Sequence, residues 1–279
     1  MSTWKHLIRF LDDEGQSYLA SLPAPQTTSE IVSSTVTGYA SFADLLEQNG
    51  RLNTDLVTQV LSPLPFEGDI ICIGTNYREH AKEANLPVPL DPVMWYKPRR
   101  ALAGPGEVPI PPIAANGFLD YEGELCIVLS RDARDVKVEE APDYILGYTI
   151  GNDLTARFYQ DPKRGGGQFT RCKAYDGFAP LGPILTNAKT FGGVGDKKIT
   201  TKVNGTVFQN SLCDLIHGPE TLVSFLSQGT TLPAGTVIMT GSPPGIGYFQ
   251  NPKLNLKDGD IVEVEISDIG TLTNKIVFQ

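Results

Sequence analysis

Apolar residues along the chain come in short runs and alternations, and the long 3.6-residue rhythm of helices is rare. From residue 69 onward, Ile70–Ile73, Glu124–Ser130, Ile145–Ile150, Val237–Thr240, Ile261–Ser267 and Thr271–Phe278 are rich in β-formers and bounded by turn residues, which predicts strands. Lys202-Val203-Asn204-Gly205-Thr206-Val207 sets Asn-Gly between β-formers and predicts a hairpin. Helical spacing is confined to a few places. Gly218-Pro219-Glu220 to Gln228 has Pro at the first helical position, apolar Leu222, Phe225 and Leu226, and a closing Gly229. Ser41 before Phe42–Asn49, with Gly50 after it, predicts a second, capped helix. The pattern is that of an α+β, mainly β protein. Ser62-Pro63-Leu64-Pro65 suggests a boundary between a small N-terminal module, residues 1–65, and a main domain, 66–279.

Composition narrows the partners. Among 279 residues, 28 Gly and 21 Pro suit a turn-rich fold, and 32 acids against 23 bases give a net charge of −9, the wrong sign for nucleic acid or an anionic membrane. No run approaches the roughly 18 apolar residues of a membrane span. Cys72, Cys126, Cys172 and Cys213 are dispersed and mostly lie in apolar runs, so they read as reduced, buried thiols of a cytoplasmic protein. Asp12, Asp13 and Glu14 make the start of the chain unlike a signal or transit peptide.

The most informative segment runs from Asp120 to Leu129. As a strand it places Glu122, Glu124, Cys126 and Val128 on one face and Leu125, Ile127 and Leu129 on the other. Both faces turn apolar, so the strand enters the interior carrying two carboxylates. Glu263 and Glu265 provide the contrast, because Val262, Val264 and Ile266 hold the opposite face and leave that pair in water. Adjacent buried carboxylates repel and lose hydration, so they take up a proton or gather round a cation, for which a hard divalent ion is the natural choice. Asp153, after the strand Ile145–Ile150, is a third oxygen donor or else the cap of a short helix. His80 and Glu83 fall at i and i+3 in the helical segment Gly74–Ala84. A carboxylate bonded to an imidazole fixes its tautomer and raises its basicity, as a general base requires. The alternative is an ordinary histidine on a charged helix.

Five motifs in order carry a family resemblance: Gly74-x-Asn76-Tyr77-x-x-His80-x-x-Glu83; Glu122-x-Glu124-Leu125; Gly151-Asn152-Asp153-x-Thr155-Ala156-Arg157; Lys173-x-Tyr175-Asp176-x-x-Ala179-Pro180-Leu181-Gly182-Pro183; and Thr240-Gly241-Ser242-Pro243-x-Gly245-Ile246-Gly247. With these the chain resembles the fumarylacetoacetate hydrolase superfamily, most closely its acylpyruvase and oxaloacetate decarboxylase branch. The resemblance implies a mixed β-sandwich roll, usually a homodimer, with Mg²⁺ or Mn²⁺ on Glu122, Glu124 and Asp153. It implies His80 and Glu83 on a mobile lid activating water. It also implies Lys173 as a cation facing the developing enolate, with Arg157, Gln160, Thr240, Ser242 and Tyr77 around the substrate.

The expected substrate is a small β-dicarbonyl 2-oxo acid, cleaved between carbons by hydrolysis or decarboxylation through a metal-stabilised enolate. Isomerisation, tautomerisation or C–C bond formation would use the same intermediate, and a catalytically silent binding protein is the alternative of another class. Phe158 departs from the family pattern, where Asp is usual, and an aromatic there favours a bulkier or less polar substrate. Trp95, Tyr96 and Lys97 are placed either at the pocket or in the core, and the Gly165-Gly166-Gly167 loop is a candidate gate.

Overall fold

The strand Gly123–Leu129 is hydrogen-bonded antiparallel to Ile145–Asn152 on one side and to Val237–Met239 on the other, and all of its residues are buried. The computed structural model describes residues 4–49, 54–64 and 67–279. The two faces of this strand enter two different cores. Leu125, Ile127 and Leu129 pack with Val262, Val264, Leu272 and Ile276, whereas Cys126 and Val128 pack with Cys72, Leu181, Leu185 and Met239. A strand covered on both sides has no polar face to display, which is why its sequence lacks alternation.

It belongs to a ten-stranded sheet ordered Ser17–Leu22, His6–Leu11, Ala179–Asn187, Ile145–Asn152, Gly123–Leu129, Val237–Met239, Ile70–Gly74 and Val93–Lys97. Gln59–Leu61 and Leu102–Ala103 pair off this path, to His6–Leu11 and Ala179–Asn187. A six-stranded sheet runs Gly106–Ile110, Gly270–Phe278, Ile261–Ile266, Lys198–Val203 and Thr206–Leu212, with Gln26–Thr27 parallel to Gly270–Phe278. Of the pair expected in water, Glu265 is exposed and only loosely paired with Lys202, at 3.6 Å, and Glu263 is half-buried, while Val262 and Val264 are fully buried.

Each predicted strand forms, with ends moved by a residue or two. The hairpin Lys198–Val203 to Thr206–Leu212 turns through Asn204 (φ 50°) and Gly205 (φ 78°), the doubly left-handed turn that suits sheet twist. Pro219–Leu226 is helical, and Gly229 after it is left-handed at φ 72°. In the helix Phe42–Glu47 the Ser41 hydroxyl accepts from the amide of Asp44, but the left-handed cap is Gln48, at φ 55°. Gly50, expected to close that helix, lies outside the described residues.

The leading segment, expected as a small module ending at 65, is hydrogen-bonded into both sheets. His6–Leu11 pairs with Ala179–Asn187, and Gln26–Thr27 with Gly270–Phe278. Its helix sends Phe42 and Leu45 into the core that also holds Cys126 and Val128. Residue 65 itself is outside the described residues. All four cysteines are free and buried, and among the described residues no helix is long and apolar enough to cross a membrane.

The contrast between the two Glu-bearing strands is testable by urea unfolding. Ile127→Ala should cost about 2–5 kcal/mol, as for a large-to-small change in a packed core, and Glu265→Ala should stay within about 0.5 kcal/mol. Similar losses for both would refute the assigned burial.

Candidate active site

The register of two strands builds the acidic centre. Gly123 lies opposite Asn152, so Glu122 and Glu124 flank the point where the neighbouring strand delivers Asp153. The Asp153 amide donates to the Glu122 carbonyl at 2.8 Å. Glu122, Glu124 and Asp153 are 7%, 1% and 0% exposed, and one carboxylate oxygen from each lies within 4.8 Å of the others. Asp153 caps no helix, because the chain continues into the short strand Thr155–Ala156 and a 3-10 turn, Arg157–Gln160. Three hard oxygen donors fit a Mg²⁺- or Mn²⁺-like ion, and three protein ligands would leave coordination positions for water or substrate.

Cations are built around these acids. Lys173 Nζ lies 2.5 Å from Asp153 Oδ2, 2.8 Å from Glu122 Oε2 and 3.0 Å from the Thr155 hydroxyl. Lys97 Nζ is 2.6 Å from Asp153 Oδ1 and donates to the Phe178 carbonyl at 2.5 Å. Arg157 donates through Nε to Asp120 at 2.8 Å, through one Nη to Glu122 at 2.5 Å and through the other to Gln160 Oε1 at 3.0 Å. Since guanidinium has no acceptor, this last bond fixes the Gln160 amide and leaves its NH₂ for a ligand.

Four carboxylates (Asp120, Glu122, Glu124, Asp153) therefore face three bases (Lys97, Arg157, Lys173), and Glu124 makes no ion pair among the described residues. The electrostatics follow. Burial, reinforced by the charges of Asp153 and Glu122, pushes Glu124 well above the usual carboxylate range. Burial would raise Glu122 too, but Lys173 and Arg157 outweigh it and hold that carboxyl well below the usual range. Burial opposes the Lys173 ammonium, yet Asp153 and Glu122 keep it charged above its ordinary value, so it serves as a fixed cation and not as a base. Asp120 is raised by burial despite the Arg157 pair.

His80 and Glu83 lie on the helix Arg78–Glu83, which follows the strand Ile70–Gly74. His80 Nδ1 is 2.9 Å from Glu83 Oε2, and Glu83 Oε1 accepts from the Gly245 amide at 2.9 Å. With Nδ1–H donated to a carboxylate anchored on its far side, Nε2 carries the lone pair. His80 lines a cavity of about 260 Å³ together with Glu122, Arg157, Gln160, Lys173 and Ser242, and Trp95 and Phe169 form apolar wall. Trp95 is thus at the pocket, whereas Tyr96 is 45% exposed elsewhere.

The Gly-rich turn after Val237–Met239 serves the acids through its backbone. The amides of Gly241, Gly245 and Gly247 donate to Glu124, Glu83 and Asp120. Gly245 stands at φ 103°, and a Cβ there would meet the Phe208 carbonyl oxygen, so only glycine fits. Ser242 reaches the cavity while accepting from Gln209 at 2.7 Å. Two expected substrate residues lie away from it. Thr240 is fully buried and donates to the Leu125 carbonyl, and Tyr77 is 2% exposed with its phenol beside Cys213. Glu83 lies behind His80. Lys97, expected at the pocket or in the core, is buried against Asp153, and Asp120 joins the centre unexpected, although an acid heading a strand with two more is a visible signal.

Such a density of compensated charge beside a small apolar-walled cavity defines a site for acid–base chemistry on a polar small molecule. The chain belongs to the fumarylacetoacetate hydrolase family: the model described as "Fumarylacetoacetate (FAA) hydrolase C-terminal" matches residues 69–277. It is 36% identical over 219 residues to a human protein named oxaloacetate tautomerase FAHD2B, mitochondrial, covering 78% of this chain and 69% of that protein. An uncharacterized protein of Archaeoglobus fulgidus is 46% identical over 209 residues, covering 75% of this chain and 78% of its own. Among solved structures, 2-hydroxyhepta-2,4-diene-1,7-dioate isomerase from Mycobacterium marinum superposes with a TM-score of 0.78 at 32% identity over 99% of both chains. A 5-carboxymethyl-2-hydroxymuconate delta-isomerase from Mycobacterium smegmatis does so at 0.78 and 34%, covering 98% of this chain and 99% of that one.

Glu124 gives a prediction with a defined sign. Its folded-state pKa lies above the unfolded value, so folding takes up a proton, and this group's contribution makes the metal-free protein less stable as pH rises above the ordinary carboxylate range. Metal-free Glu124→Gln should melt above wild type at about pH 8, with the gap closing towards about pH 5, and only wild type should gain Tm on adding Mg²⁺. A variant less stable than wild type at both pH values would contradict the assignment.

Proposed function

We propose that the protein interconverts the enol and keto forms of a β-dicarbonyl 2-oxo acid of the oxaloacetate type. The observation that carries this reading is His80, which lines the same cavity as Glu122 and Lys173 and is held from behind by Glu83. Glu122, Glu124 and Asp153 would hold a Mg²⁺ or Mn²⁺ ion, which when bound supplies Lewis acidity that stabilises enolate charge.

The remaining chemistry belongs to side chains. Lys173, held charged, faces the negative charge that develops on the substrate, and Gln160 and Ser242 offer hydrogen bonds that orient it. His80 Nε2 takes the enol proton, Glu83 stabilises the imidazolium so formed, and the proton is returned to C3, leaving the overall atom count unchanged. The names of the relatives, a tautomerase and two isomerases, support this choice over cleavage. Cleavage is the second reading: the same lone pair would take a proton from a water attacking a remote carbonyl in hydrolysis, while decarboxylation would lose CO₂ to leave the same enolate without that water.

Two further assignments belong to this reading. Four buried free thiols support a reducing compartment such as the cytoplasm. The strand Val93–Lys97 ends the larger sheet with Val93, Met94 and Tyr96 exposed, which supports a homodimer.

With Mg²⁺ present, wild type should accelerate oxaloacetate enol–keto conversion, read by ultraviolet absorbance, and His80→Ala should slow it about 10²- to 10⁴-fold. Pyruvate release from oxaloacetate or acetylpyruvate, assayed in parallel, would move the assignment to cleavage. No turnover of either substrate would refute both readings.

A further inference from the structure

A second cavity of about 530 Å³ adjoins the catalytic one, and Arg157, Gln160 and Tyr248 line both. The inner cavity, about 260 Å³, suffices for a four-carbon oxo-diacid. By itself the outer chamber is within the roughly 300–1,000 Å³ typical of sites that bury drug-sized ligands.

Its walls are aromatic and carry cations. Phe118 and Tyr248 meet edge to face at 5.6 Å, and Phe158 and Tyr248 are 42% and 38% exposed. The Arg164 guanidinium lies 3.6 Å from the Phe158 ring centroid, and Lys253 Nζ lies 3.5 Å from that of Tyr248. Neither cation makes an ion pair among the described residues. Asp161, the acid at this chamber, is committed to capping, with Oδ1 accepting from the Lys163 amide at 2.9 Å. On a chain of net charge −9, these are exposed rings beside positive charge that no acid pairs among the described residues.

We infer that the outer chamber binds the remote end of the substrate, and that Phe158 and Arg164 select a 2-oxo acid whose far end is a planar aromatic group bearing a carboxylate. The inference rests on the inner pocket's being the 2-oxo acid site. With the oxo-acid head there, the tail passes Arg157 and Gln160, lies against the Phe158 and Tyr248 rings, and ends at Arg164. Arg157 is the poorer anchor for the remote carboxylate, because each of its three nitrogens already donates, to Asp120, Glu122 and Gln160. Among the described residues no hydrogen bond or ion pair engages the Arg164 guanidinium, and its contact with the Phe158 ring holds it at the chamber wall.

Benzoylpyruvate and its para-carboxylated analogue test this. Wild type should prefer the carboxylated acid about tenfold in kcat/KM, the size of one charge-assisted contact at a part-exposed site. Arg164→Gln should bring the ratio to about one and Arg164→Lys should keep only part of it, the charge without the planar fork, while Phe158→Ala should raise KM for both aryl acids more than it lowers kcat. No preference in wild type, or a ratio untouched by Arg164→Gln, overturns the inference. If neither aryl acid nor oxaloacetate is turned over, the proposed function fails separately. Calorimetric titration of the same two acids with Mg²⁺ then decides the chamber: a preference lost in Arg164→Gln upholds it, and equal or absent binding overturns it.

Discussion

Four carboxylates and three bases, all almost wholly buried, share one small volume, and the negative charge left over dominates the architecture around them. Unpaired charge in a dry interior is expensive, so it is neutralised by a proton or a cation or is not retained. Here the deficit falls on Glu124, which has a backbone amide and no base. Replacing its proton with a divalent cation would turn a neutral centre into one with a positive charge to spare. Affinity for an anionic substrate would then depend on occupancy of the acidic triad, which couples ligand binding to the ion before any chemistry begins.

The scaffold serves this centre by fixing distances through backbone. Antiparallel register sets Asp153 beside Glu122, and successive glycine amides in one turn bind Glu124, Glu83 and Asp120. The turn thereby ties the triad, the His80–Glu83 pair and the Asp120 partner of Arg157 to one piece of chain. A shift of that turn would move all three together, so ring orientation at His80 and charge placement at Glu122 are not independent variables.

What was legible in the sequence followed from burial. The run Glu124–Leu129 shows two apolar faces, and the same logic correctly separated Glu122 and Glu124 from Glu265, because exposure leaves alternation and burial does not. The i, i+3 spacing of His80 and Glu83 fixed their bond, since local geometry within one helical turn needs no tertiary knowledge. The Lys97–Asp153 pair was not legible, because it joins residues more than fifty positions apart through a chance of packing that no periodicity encodes. Tyr77 and Thr240 occupy motif positions but face the core, where Thr240 bonds Leu125 and Tyr77 lies beside Cys213. A motif records neighbours in sequence and does not say which way a side chain turns.

The strand His6–Leu11 lies ahead of the family-matched region, yet it is inserted into the larger sheet beside Ala179–Asn187, with His6 bonded to a residue 180 positions later. Closing so long a loop costs chain entropy before any contact rewards it, so this pairing belongs late in folding and after synthesis of most of the chain. Until it forms, Ala179–Asn187 is covered at its start by Leu102–Ala103 but presents an open hydrogen-bonding edge at Leu185 and Thr186. A chain cut at the family boundary would keep that stretch open to a second copy although every residue of the acidic centre is retained.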